Sequence, residues 1–286
     1  MRIRYRDDDI LTDGGHGYSA TNEAPEALTK LIDKIDPAFK VENVGSICSG
    51  GEIPILVLAP RYPNVIAVDN SRGSLMWAIL KAQMLRNLDP ADVQKIFSAP
   101  LDLTNADLQK IARRLVRRGL ALSGYQGPST RNITDIWSKV MPAELTVAAQ
   151  SLGNIQFVHG DMALTWEKEA ALVGGLDLIY TSNAMTFGAP ANKGAFWPVK
   201  KFADILKPGG YVLSTSDPNY GTAGHNGGVN NPYGIAMSTI PAEFDIIAAG
   251  TASRTVYTDG MNWQYWLGRK PLDGKPPTQL KATQTI

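Results

Sequence analysis

The stretch from Asn43 to Asp69 constrains the fold of this chain more than any other. It opens with a strand pattern, Asn43-Val44-Gly45-Ser46-Ile47-Cys48, followed by Ser49-Gly50-Gly51-Glu52 and a short apolar helix over 53–59. After Arg61-Tyr62-Pro63-Asn64 comes a second strand, Val65-Ile66-Ala67-Val68, which ends on Asp69. Strand, glycine turn, helix, strand and acid in that order form a repeating unit of a doubly wound α/β sheet. At the carboxyl ends of such strands the turn lets a ligand approach the backbone. The acid can accept from two ribose hydroxyls. The order predicts a nucleoside-containing ligand.

The glycine spacing narrows the ligand further. A dinucleotide fold uses Gly-x-Gly-x-x-Gly, whereas only Gly50-Gly51 stand here, with Cys48 and Glu52 where further glycines would fall. Side chains there hold the backbone away from a pyrophosphate, and a glutamate repels one. A ligand without phosphate, such as S-adenosylmethionine (AdoMet), suits the turn better. The plainer alternative is a tight turn with Asp69 capping the next helix.

Composition excludes several classes. Lys and Arg total 28 against 27 Asp and Glu, so the net charge of +1 gives no basis for a nucleic-acid partner. The single cysteine, Cys48, has no internal disulfide partner and suits a reducing compartment. No apolar run reaches the roughly 20 residues of a membrane span. The start, Met1 to Asp9, is too charged for a secretory signal, so a cytoplasmic location is expected.

Along the chain, residues 1–21 read as a tail or as an arm over the site, and Pro25 opens a helix to about Ile35. Ser71 can cap a helix running to about Leu88, with Lys81 inside its apolar stripe and Met76 and Trp77 as candidate neighbours of an adenine. From 90 to 151 strand signals vanish; helices over 91–97, 105–122 and 133–150 read as a helical cap insertion. The arginines at 113, 114, 117 and 118 read as a solvated face. Strands resume at 155–159, before Gly160-Asp161-Met162, and at 176–183, which opens into Tyr180-Thr181-Ser182-Asn183. A helix over 194–206, a turn at Lys207-Pro208-Gly209-Gly210, and strands at 211–216, 244–250 and 263–269 follow. The polar loop 218–234 reads as a candidate lid. The expected organisation is an arm and helix over 1–40, an α/β domain over 41–270 with the cap at about 90–151, and a polar tail over 271–286.

Five features stand in one order: Ser49-Gly50-Gly51, Asp69, Gly160-Asp161, Asp177 through Asn183, and Lys207-Pro208-Gly209-Gly210. Together they resemble the class I AdoMet-dependent methyltransferase fold across roughly 40–270. The resemblance implies a Rossmann-like, mostly parallel seven-stranded sheet whose last strand is inserted antiparallel. It also implies that Ser49, Gly50 and Gly51 receive the methionine part of AdoMet. Asp69, with Asn70, would take the ribose, and Asp161, with Met162, the adenine. Such methyltransferases carry acid-x-Gly-x-Gly-x-Gly, and aligned on Gly50 this chain has Ser46, Cys48 and Glu52 at the acid, first-glycine and third-glycine positions. The turn 47–52, the segment Ala78-Ile79-Leu80-Lys81 and the long helical insertion look more like the 3-amino-3-carboxypropyl transferases of betaine-lipid synthesis. Where those carry an aspartate after the fourth strand, Ser182 or Asn183 stands here.

The expected activity is an AdoMet-dependent transferase acting on a small molecule. Its chemistry leans to the γ-carbon of AdoMet: transfer of the aminocarboxypropyl group, or ring closure by the ligand's own amine, with release of methylthioadenosine. Alternatives are a small-molecule methyltransferase and a non-catalytic AdoMet-binding protein. Ser182, Asn183 and Tyr180 are the candidates around the reacting carbon; Asn183 can hold an amine but cannot act as a base at neutral pH. His16, Tyr125 and His225 are loop candidates. The three histidines, 16, 159 and 225, lie far apart in sequence and make no metal-ligand pattern, and no Gly-x-Ser-x-Gly elbow occurs. The acceptor and the oligomeric state are left open by the sequence.

Overall fold

The computed structural model describes residues 2–4, 23–98, 106, 136–137, 139–181, 197–216, 244–253 and 262–272. The chain divides into two compact units, Met1–Asn22 with Cys48–Gly160 and Glu23–Ile47 with Asp161–Ile286.

In the first unit three parallel strands lie in the order β1 (Arg2–Arg4), β4 (Ile155–His159) and β3 (Asn64–Asp69). β3 is buried from Val65 to Asp69 and pairs in register with β4, Val65 against Ile155 and Asp69 against His159. The apolar run at 53–59 is a π-helix over Ile53–Leu58, in which the Ala59 amide reaches the Pro54 carbonyl at 3.0 Å. Helix α2 (Arg72–Asn87) starts where Ser71 Oγ accepts from the Ser74 amide, and it buries Leu75, Ile79, Leu80 and Met84. Helices α3 (Pro90–Ser98) and α4 (Pro142–Ser151) fall in the stretch between α2 and β4. The Gln94 side chain of α3 donates to the Val140 carbonyl at 2.7 Å.

Two expectations change in this unit. The single helix over 133–150 is interrupted: Met141 is extended, and α4 begins only at Pro142. A residue before proline is pushed out of the helical region, and proline then fits the first helical position. At the amino terminus, part of the expected tail or arm is strand β1. The helix over 105–122 is described only at Ala106, which is helical.

In the second unit five strands lie in the order β2 (Asn43–Ile47), β5 (Leu176–Thr181), β6 (Leu206–Ser216), β8 (Asn262–Arg269) and β7 (Asp245–Ser253). β2, β5 and β6 run parallel, and β8 runs antiparallel to both β6 and β7. α1 (Pro25–Ile32) packs on β6 and β8, with the Ala24 amide donating to the Tyr265 hydroxyl at 3.0 Å. α5 (Met162–Val173) packs against β2 and α6 (Trp197–Ile205). A Cβ at Gly45 would stand 2.9 Å from Leu176 and 3.1 Å from the Trp166 ring, which explains a glycine in mid-strand.

The expected turn at 207–210 is a bulge inside β6. Leu206 pairs with Leu176 and Tyr211 with Leu178, so the register shifts across Lys207 to Gly210. The carboxylate of Asp177 fastens this end of the sheet: Oδ2 accepts from the amides of Glu42 and Asn43 at 3.0 and 2.8 Å, and Oδ1 meets Lys207 Nζ at 2.8 Å.

Within each unit parallel strands alternate with helices, and in the second β8 stands antiparallel between β6 and β7, an α/β, Rossmann-like arrangement. β1 comes in addition to the seven strands expected.

Candidate functional site

The glycine turn leaves β2 at Cys48 and has an uncommon backbone. Ser49, Gly50 and Gly51 carry φ angles of 42°, 86° and 99°, three successive residues in the left-handed region. Glycine takes that region freely; for Ser49 it costs energy that its surroundings must supply. Two bonds fix the turn: the Cys48 amide donates to the Val68 carbonyl at 2.8 Å, and the Gly51 amide to the Cys48 carbonyl at 2.7 Å. Gly51 is also forced by packing, since a Cβ there would lie 2.6 Å from Ala78 Cβ and 2.7 Å from Ala78 Cα on α2.

Asp69 completes the turn from the end of β3. Its Oδ2 accepts from the Ser49 amide at 3.1 Å and its Oδ1 from the Ser71 amide at 2.8 Å. The carboxylate is therefore aimed by backbone on both sides, from the turn and from the start of α2. Burial pushes its pKa up to about 6, against the two amides, which favour the charged form. The neighbouring strand end is tied in through the Gly160 amide, which donates to the Asp69 carbonyl at 3.0 Å. His159 Nε2 lies 3.3 Å from the carbonyl of Asn70, whose side chain is exposed.

Beneath the turn sits a charge pair that sequence reasoning missed. Lys81 and Glu52 are both fully buried and ion-paired, and Lys81 Nζ also donates to the Gly50 carbonyl at 2.8 Å. Trp137 Nε1 donates to the same Glu52 oxygen at 3.3 Å. Burial lowers the Lys81 pKa, and Glu52 opposes that shift. Glu52 thus faces the core with its charge met by Lys81. Repulsion by Glu52 therefore does little to exclude phosphate; the departure from the usual glycines remains. Cys48 is fully buried, and burial raises its thiol well above the ordinary range, so it is no thiolate nucleophile. A lysine three residues after Ala78 on an otherwise apolar helix face was the available signal.

Of the remaining candidates Trp77 lies in the first unit, Asp161, Met162 and Tyr180 lie in the second, and the others fall outside the described residues. Asp161 caps α5, its Oδ1 accepting from the Leu164 amide at 3.0 Å, and Met162 is buried. Tyr180 is fully buried on β5, and the next residue, Thr181, donates from its hydroxyl to that of Ser214 at 2.9 Å. Trp77 is buried. Ser182 and Asn183, His16, Tyr125 and His225, the arginines at 113–118, the loop 218–234 and the side chain of Met76 lie outside the described residues. Among the described residues no cluster of three His, Cys, Asp or Glu side chains is placed to hold a metal, and no helix is long and apolar enough to cross a membrane.

Comparison with known proteins gives the following. No family model matches the chain, and no curated protein matches it. Among solved structures, it is similar to the N-methyltransferase NodS from Bradyrhizobium japonicum WM9, at 14% identity and a TM-score of 0.44, covering 86% of this chain and 95% of that one. It is similar to the [4+2]-cyclase SpnF at 13% identity and a TM-score of 0.45, covering 90% and 87%. A third is an O-methyltransferase, called putative in its description, from Klebsiella pneumoniae, at 10% identity and a TM-score of 0.42, covering 88% and 83%. What the site can do follows from its own residues.

Proposed function

We propose that the chain is an AdoMet-dependent transferase acting on a small molecule, with chemistry at the γ-carbon of AdoMet. The observation that carries the proposal is the joining of Ser49 to Asp69: a left-handed glycine turn whose first amide is held by the acid that ends the next strand. That acid is buried, backbone-aimed and suited to a ribose diol, whose two hydroxyls can each donate to one carboxylate oxygen. The turn lacks the glycine run that lets a pyrophosphate sit on backbone amides, which favours a nucleoside without phosphate.

Three carbons flank the positive sulfur of AdoMet, and an enzyme selects one by setting a nucleophile in line with it. At the γ-carbon, an amine lone pair forms the new C–N bond while the C–S pair returns to sulfur. The sulfonium becomes the neutral thioether methylthioadenosine, and the amine then loses its extra proton to solvent. No protein nucleophile is needed; positioning and exclusion of water supply much of the rate. Ser182, Asn183 and Tyr180 remain the proposed polar groups on the acceptor side, in a cytoplasmic protein.

The lean to the γ-carbon comes from Ser46, Cys48 and Glu52, which replace the usual acid and glycines of the methyl-transferring turn. Incubation of the purified protein with AdoMet, with and without a pool of amines and phenols, followed by mass spectrometry of the nucleoside product, tests it. Methylthioadenosine above the no-enzyme control is the expected product. S-adenosylhomocysteine would mean methyl transfer instead.

A further inference from the structure

The buried pair under the turn is more than packing. α2 touches the turn twice, one helical turn apart: Ala78 fills the space beside Gly51, and Lys81 Nζ takes the Gly50 carbonyl at 2.8 Å. Glu52, from the turn itself, returns the contact by pairing with the same ammonium. Lys81 and Glu52 are both wholly removed from water, a costly arrangement that a pair of apolar side chains of similar size would avoid. Stability alone does not call for charges here. What an apolar pair cannot do is donate to the Gly50 carbonyl, and that carbonyl belongs to the residue at the centre of the left-handed run.

We propose that Lys81, neutralised by Glu52, is a positioning residue for ligand binding at the glycine turn. It draws the Gly50 carbonyl inward and holds the left-handed run open toward a ligand. The pair thereby does with side chains what additional glycines do with backbone in a Gly-x-Gly-x-Gly turn, where close approach of strand and helix sets the loop. Glu52 at the third-glycine position is then part of the device. Trp137 extends it, since its ring nitrogen donates to Glu52 and its ring packs 4.7 Å from Phe97 of α3. Only the identity of the ligand rests on the AdoMet proposal.

Three variants separate positioning from stability: Glu52→Gln, Lys81→Met and the double variant Glu52→Gln/Lys81→Met. For each, the denaturation midpoint, the AdoMet Kd by calorimetry and the hydrogen exchange of amides 48–52 are measured. Glu52→Gln loses stability but keeps Lys81 Nζ within reach of the Gly50 carbonyl, so its Kd rises several-fold less than that of Lys81→Met. Lys81→Met raises the Kd roughly tenfold or more and speeds exchange in the turn. The double variant removes both charges of the pair, so its midpoint recovers toward wild type while its Kd and turn exchange stay as poor as in Lys81→Met. Binding that tracks stability across the three, or a double variant with wild-type Kd and exchange, would overturn the proposal. If the wild type binds no AdoMet, the functional proposal falls, and the exchange rates still decide whether Lys81 holds the turn.

Discussion

Asp69 carries two opposite pH dependences, and both follow from one cause. Its folded pKa of about 6 lies above the ordinary aspartate value of 3.8, so between the two the native state holds a proton that the unfolded chain has lost. The stability due to this group is full below the unfolded pKa and is lost as pH rises through about 6. Asp69→Asn removes that part, so the difference in unfolding free energy between variant and wild type changes across this window in urea titrations. Ligand binding runs the other way, because a ribose diol wants the carboxylate: wild-type affinity for AdoMet weakens below about pH 6, whereas Asp69→Asn shows no such step. At pH 7.5 the same variant binds AdoMet roughly ten- to hundredfold more weakly, the worth of charge-assisted hydrogen bonds. Gly51→Ala fails on stability instead. Its φ of 99° disfavours any side chain, and the new Cβ would lie 2.7 Å from backbone on α2. A loss of about 2 kcal/mol or more in chemical denaturation is expected.

At the scale of elements, Asp177 ties the start of β2 to β5 and β6 within the second unit. Asp177→Asn replaces a carboxylate that accepts from two amides and Lys207, so unfolding becomes easier by about 1–3 kcal/mol. The AdoMet Kd is expected to stay at the wild-type value, which calorimetry on the same sample checks. The buried strands were legible in sequence because parallel strands read as short apolar runs closed by turns: β3 and β4 lie where the runs 65–68 and 155–159 put them, and β5 covers the described part, Leu176–Thr181, of the run 176–183. Ser71 marked the start of α2 for the same local reason. Local pattern failed where longer-range contacts decide. Three residues of β1 hold no periodicity to read, and the turn read at 207–210, with Gly209 at φ 77°, falls inside β6. The break before α4 was legible at Pro142 and outweighs the helical pattern around it. Glu52 and Lys81 stand 29 residues apart, and only the fold brings their charges together.

For the whole molecule, the order of motifs carries more than any one of them. Gly50-Gly51 alone is a turn, and Asp69 alone is a helix cap. In the first unit the Ser49 amide joins the turn to Asp69, and that joining is what the proposed nucleoside site rests on. A near-neutral net charge gives no pull toward polyanions. The most direct test of the central claim is a calorimetric titration of the wild type and Asp69→Asn with AdoMet and, separately, with NAD. The account predicts that wild type binds AdoMet more tightly than NAD, and that Asp69→Asn loses at least about tenfold in AdoMet affinity. Tighter binding of NAD, or AdoMet affinity unchanged in Asp69→Asn, would contradict it.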